Sequence, residues 1–477
     1  MTPRDLLSLL PLVITAGTAV VVMLTVALRR SHRLTAGLTL LGLAAGCASV
    51  AVAWGQAPGP ITTLLVVDRY GLLYTAMILA ATLVTAMLSY PYLAAREGKR
   101  EEYYILLLLA TMGAATLAAS THFASFFLGL ELLSVALYAL VAYPRGNPLS
   151  TEAGVKYLIL AGVSSAFLLF GMGLIYAALG TMEFSRLATG ADSAAAPGLV
   201  TVAGVAMILV GTGFKLSLAP FHLWAPDVYQ GAPAPTTAFV ATVSKGAVFA
   251  LLLRYCAQAG VHSSVSLVAV LTLLAVVSMF VGNWLALLQT NIKRLLAYSS
   301  IAHMGYLLVA LLASGPWAAT AVAYYLSAYF VTMLGALGTV SLLSTPARDA
   351  DAVEDYVALA WRRPWAAAGL TLMLLSLAGI PLTAGFIGKF YVLAAGVHSN
   401  LWLLVVTLVA NSAIGLFYYL RIIVAMFRQP AEATATPAAV AVPLMTCAAL
   451  VILAAALIWL GIAPAPTIRL IQAAMAG

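Results

Sequence analysis

Charge is what this sequence has least of. Its 477 residues include 23 Lys and Arg and 15 Asp and Glu, 8% in all, where a soluble domain carries about 25%. The apolar set makes up 63% of the chain and the mean hydropathy is +1.05. This shortage excludes a soluble enzyme, a disordered chain and a fibrous protein. The net charge of +8 does not point to nucleic acid, because in so apolar a chain the sign must be read loop by loop. Cysteine is scarce too: Cys47, Cys256 and Cys447 lie singly in apolar runs without CxxC spacing. They offer no disulfide framework, iron–sulfur site or zinc site, and are expected to be buried, inert thiols. There is no P-loop and no GxGxxG after a strand. No cofactor or metal is therefore assigned to this chain, and energy has to arrive from a partner protein or an ion gradient.

What the sequence does have is apolar runs long enough to cross a bilayer, which takes about 20 residues. Fourteen are expected, at 6–28, 34–54, 69–94, 102–119, 122–143, 152–180, 199–229, 234–257, 263–289, 292–313, 316–344, 364–397, 401–427 and 439–463. The first is too long for a cleaved signal, and Arg29, Arg30 and Arg33 follow it where a small-residue cleavage site would stand. The odd-to-even connections carry thirteen cations and the opposite face five. The positive-inside rule then places the richer face in the cytoplasm and both termini outside. Tyr90, Tyr92, Trp317 and Trp402, near span ends, are expected in the interfacial belts. Gly129, Gly162, Gly171 and Gly173 are expected where helices pack closely.

Two runs are too long for one straight helix. Run 199–229 is interrupted by Pro220 and Pro226, and run 364–397 by Gly379, Pro381 and Gly385. Proline removes a ladder hydrogen bond, so the freed carbonyls must be buried in protein or line a cavity. Two broken helices five spans apart suggest an inverted repeat of five-helix units, a transporter signature. The expected fold is all-α and polytopic. Residues 1–100 hold helices 1–3, 101–260 the first repeat (helices 4–8), 261–430 the second (helices 9–13) and 431–477 helix 14.

A charge at the bilayer centre costs at least about 2.5–3.5 kcal/mol, so such residues usually carry ions. Glu131, Lys215, Lys245 and Lys389 all fall deep within expected spans. Lys156 lies about a turn and a half from a span end and could instead snorkel. Lysine suits proton relay because burial makes its proton easier to lose and a nearby carboxylate makes it harder. His222, after the first break, and His303, beside Ser299 and Ser300, are candidate bridges, since imidazole and hydroxyl groups both donate and accept.

The stretches FLGLELLSVALYALVAY, EAGVKYLILAGVSSAFLLFG, FKLSLAPFHLWAPDVYQGAPAPTTAFVATVSK, NIKRLLAYSSIAHMGY and GIPLTAGFIGKFYV resemble the antiporter-like membrane subunits of respiratory complex I, over about residues 65–430. VYQGAPAPTTAFVATVSK looks most like the N type. Lys389 matches the lysine on the broken twelfth helix of the N and L types, and the lack of a long extension after span fourteen speaks against the L type. The resemblance implies fourteen helices, a Glu131–Lys215 pair as the switch, Lys245 as central relay, Lys389 as distal lysine and Lys156 as a further lysine close to the glutamate. It implies a translocase subunit of an NADH:quinone oxidoreductase in a bacterial plasma (inner) membrane. Flavin, iron–sulfur clusters and quinone would then sit in partner subunits. Its neighbours would be peripheral and antiporter-like membrane subunits, with no nucleic acid. An Mrp-type cation/proton antiporter subunit is the rival reading, and a scaffold without ion flow a second.

Overall fold

The computed structural model describes residues 3–57, 59–191, 198–429 and 443–476. Among them, thirteen helices are long and apolar enough to cross a membrane. The first six are α1 (Leu10–Leu28), α2 (His32–Trp54), α3 (Arg69–Ala94), α4 (Glu102–Ala119), α5 (Phe123–Val141) and α6 (Pro148–Leu179). Next come α7 (Leu199–Leu216), a short α8 (Trp224–Gly231), and α9 (Ala234–Gln258), which contains a π turn at Val240–Ser244. They are followed by α10 (Val265–Leu287), α11 (Ile292–Leu312) and α12 (Pro316–Leu343). Then α13 (Pro364–Ala378) and α14 (Ala384–His398), fifteen residues each, share one crossing. The chain closes with α15 (Trp402–Phe427), α16 (Leu444–Ile462) and α17 (Pro464–Met475). The expected start of the last span, at 439–442, lies outside the described residues. The sixth span begins before the expected residue 152, because the Asn147 side chain accepts from the Leu149 N–H and Pro148 takes the first helical position.

Helices α9 and α11 form the centre. Their apolar windows are 100% and 94% buried, against 28% for α1 and 33% for α10 and α16. The lysines of interest surround this centre. Close approach is made by glycine: a Cβ on Gly113 (α4) would lie 2.5 Å from the Leu133 nitrogen (α5), and one on Gly282 (α10) 2.6 Å from the Ala302 nitrogen (α11). Gly129 and Gly171 pack as expected, against Gly113 and Gly204. Gly162 and Gly173 do not, since nothing lies within 4 Å of a Cβ at either. Tyr92 also departs from expectation. It is buried and donates to Asp349, while Trp317 and Trp402 are exposed. Of the cysteines only Cys256 is fully buried, Cys47 and Cys447 being partly so.

Both breaks form where the sequence places them. After α7, Ser217 takes a left-handed backbone (φ 58°) and the freed groups find side chains: the Trp224 indole donates to the Phe214 carbonyl at 2.8 Å, and the Ala219 N–H donates to Ser278 Oγ at 2.9 Å. After α13, Gly379 is left-handed (φ 82°), Thr383 caps α14, and the Gly385 N–H donates to Ser376 Oγ at 3.0 Å. These groups are buried or partly buried in protein, as the bilayer demands.

Candidate functional site: a buried lysine and tyrosine chain

Glu131 and Lys215 do not touch. Among the described residues no ion pair within 4.0 Å joins them. Each instead contacts α6. Glu131, half-buried on α5, accepts from Ser165 Oγ at 2.5 Å. Lys215, on the last turn of α7 and 2% exposed, donates to the Tyr157 hydroxyl at 3.2 Å. Ser165 and Tyr157 are eight residues apart on α6, about 12 Å along its axis. The physical reason is the break: it ends α7 one residue after Lys215 and leaves the side chain against the Tyr157–Trp224 stack, whose ring centroids lie 4.8 Å apart.

Lys245 directly follows the π turn and is 0% exposed. Its ammonium donates to Ser300 Oγ at 2.7 Å; Ser300 also meets the Tyr329 hydroxyl at 2.6 Å and accepts from the Tyr229 hydroxyl at 3.3 Å. One turn along α11, His303 joins two more tyrosines, Tyr325 through Nδ1 at 2.7 Å and Tyr419 through Nε2 at 3.3 Å. Ser299 hydrogen-bonds the same Tyr419 hydroxyl. Neutral imidazole and hydroxyls can each accept one proton and hand on another, so this cluster is competent for transfer. Lys389 lies beyond it. Its ammonium donates to the carbonyls of Leu377 and Ala378 at 3.0 and 2.9 Å and to Ser412 Oγ at 2.8 Å, with the Tyr306 ring 5.4 Å away. Asn283 ties Tyr306, Tyr418 and Asn411 together beside it.

Two candidates stand apart. His222 is buried and, among the described residues, its Nδ1 has no hydrogen-bond partner and no hydrogen bond joins it to the Lys245 cluster. Lys156 is 44% exposed and pairs with Glu152 at 2.6 Å and Asp227 at 2.8 Å, carboxylates other than Glu131. It belongs to one rim of the bundle. There Arg294 also reaches Asp227 at 2.7 Å, and Lys293 and Arg96 hold Asp349 at 2.8 and 3.1 Å. At the opposite rim Arg254 grips Asp68 at 2.7 Å. The residues that sequence reasoning missed are the tyrosines 157, 229, 325, 329 and 419, with Ser165 and Ser412. The available signal was a tyrosine deep inside an expected span, where a hydroxyl needs a partner.

Bundle, breaks and buried lysines together describe a polytopic ion-translocation type of membrane protein. Residues 120–415 match the family of NADH:quinone oxidoreductase/Mrp antiporter transmembrane proteins. NADH-quinone oxidoreductase subunit N of Ectopseudomonas mendocina (strain ymp) is 52% identical over 437 residues, covering 90% of this chain and 88% of that one. A chain of respiratory complex I from Thermus thermophilus superposes with a TM-score of 0.82 at 33% identity, over 96% of this chain and 98% of that one. A chain of the Mrp complex from Dietzia sp. DQ12-45-1b gives 0.87 at 20% identity, over 100% and 97%, and shares the fold. The chain belongs to the NADH:quinone oxidoreductase/Mrp antiporter membrane-subunit family.

Proposed function

We propose that this chain is the N-type subunit of a proton-translocating NADH:quinone oxidoreductase and carries protons through its buried lysine chain, driven by electron transfer in partner subunits. The observation that carries the reading is that Lys215, Lys245 and Lys389 are 2%, 0% and 7% exposed and, among the described residues, hydrogen-bond neutral groups. Each of the three also donates to a hydroxyl, and a relay needs an ammonium able to hand its proton to such a group. Glu131 acts through α6, and Ser165 and Tyr157 link its state to Lys215. His303 bridges Lys245 and Lys389, with His222 and Lys156 as peripheral members. Identity of 52% to a protein named subunit N favours this over an Mrp-type antiporter, whose Dietzia representative shares the fold at 20% identity. Flavin, iron–sulfur clusters and quinone are then held by partner subunits. The membrane is the bacterial inner membrane, with both termini outside.

The two-repeat organisation has support in equivalent devices: α4–α5 and α10–α11 are glycine-closed pairs, and α7/α8 and α13/α14 are both broken at a left-handed residue. On this reading the bounds are 101–260 and 261–430, with 1–100 and 431–477 outside the repeats.

The test is Lys215. Methionine keeps much of the volume and removes the proton carrier, and arginine keeps the charge but cannot release its proton. Both variants are expected to assemble and to lower dye-monitored proton uptake in membrane vesicles about tenfold or more. Normal uptake in assembled Lys215→Arg would remove lysine deprotonation from the mechanism.

A further inference from the structure

Among the described residues Asp227 is bonded to none of Lys215, Lys245 and Lys389, yet it lies between the elements that carry their partners. It stands on α8, the short helix beyond the first break, and its two oxygens go separate ways. Oδ2 accepts from Lys156 on α6 at 2.8 Å, and Oδ1 from Arg294 on α11 at 2.7 Å. Each arm ends beside a relay lysine. On the α6 side, the residue after Lys156 is Tyr157, which stacks on Trp224 and accepts the Lys215 hydrogen bond. Trp224 and Asp227 are three apart and share a face of α8. On the α11 side, Tyr229 of α8 donates to Ser300, the Lys245 partner, and its ring lies 5.5 Å from the Lys245 ammonium. One carboxylate thus fixes α8 against the two helices that present the Lys215 and Lys245 partners.

We propose that Asp227 is a positioning residue, a shared clasp that keeps the Lys215 and Lys245 sites in register across the broken helix. Both cations have a second partner. Lys156 has Glu152 at 2.6 Å, and Arg294 has Gln230 and Gln289 at 3.1 and 3.2 Å. Either arm can therefore open without stranding a charge, and half-exposed pairs such as these hold weakly enough to exchange. When an arm opens, α8 is free to shift on that side, and Tyr157 or Tyr229 shifts with it. The clasp rests on the proposed relay, because it acts by placing that relay's tyrosines.

The experiment uses the whole complex in membrane vesicles, with assembly verified by native gel and proton uptake measured per NADH oxidised. Assembled Asp227→Asn is expected to lower that ratio about fivefold, and Asp227→Glu, which keeps both ion pairs within reach, to restore at least half of it. A merely structural residue would change assembly and leave the ratio alone. If Asp227→Asn does not assemble, the same ratio is read on Lys156→Met and on Arg294→Gln, each of which opens one arm. Lowered ratios there support the clasp, and wild-type ratios overturn it. A wild-type ratio in assembled Asp227→Asn also overturns it. Lys215→Met and Lys245→Met in parallel vesicles separate the two ideas. If they stop pumping while Asp227→Asn pumps normally, only the clasp fails; if they pump normally too, the relay itself fails.

Discussion

Asp349, in the connection between α12 and α13, accepts from the Tyr92 hydroxyl, Lys293 and Arg96 at 2.7, 2.8 and 3.1 Å. Burial pushes its carboxyl up, but Lys293 foremost, then Tyr92 and Arg96, outweigh this and hold it below the usual carboxylate range. Its pKa is therefore lower folded than unfolded. The stabilisation is complete above the unfolded value of about 3.9 and is lost as pH falls through the folded one. Asp349→Asn leaves the buried Lys293 ammonium with neutral acceptors, the Ala232 carbonyl among them, and, among the described residues, no bonded anion. The expected loss is about 3–5 kcal/mol at neutral pH, seen as a lower melting midpoint of the solubilised complex, with the difference from wild type vanishing in strong acid. Equal midpoints at pH 7 would contradict the ion-pair knot. At this scale the sequence was half legible. Lys215, Lys245 and Lys389 stood out because nothing around them in sequence was charged. Their partners did not: tyrosine counts as apolar in any hydropathy window, and a buried Tyr229 reads like a belt tyrosine. Glu131 and Lys215 were legible as two residues, while the α6 side chains between them depend on how three helices pack.

At the scale of the element, the breaks were readable because Pro220, Pro226, Gly379 and Gly385 carry their own backbone physics. The π turn before Lys245 was not, since VATVS contains no breaker and takes its shape from its surroundings. Glycine roles divide in the same way. A Cβ on Gly385 would sit 1.9 Å from the Ser376 carbonyl oxygen, so α13 and α14 would have to part. Gly385→Ala is expected to destabilise by on the order of 2–3 kcal/mol, with a lower fraction of assembled complex on native gels. Gly162→Ala, with open space around it, should be neutral or slightly stabilising. Equal assembly of the two variants would show that the approach of α13 and α14 has slack.

Across the whole molecule, the count of crossings was legible because the bilayer imposes one length on every span. The orientation rests on loop charge. Gly146, between α5 and α6, and His398, at the end of α14, are both exposed and belong to opposite faces. Gly146→Cys is expected to react with an impermeant thiol reagent only from the cytoplasm, and His398→Cys only from outside; labelling of both from one side would refute the topology. One feature of the second break bears on how the two halves can be driven. Among the described residues Lys389 faces no acid: its anchors are the terminal carbonyls of α13, where a helix gathers about half a negative charge. A carboxylate can be switched off by a proton, but a helix end cannot. The hold on Lys389 is a permanent magnet without a dial. In the proposed relay its proton can be freed only by changing a distance, by sliding the ammonium away from α13 or α13 away from the ammonium. On that proposal the first half is governed by chemistry at Glu131 and the second by motion.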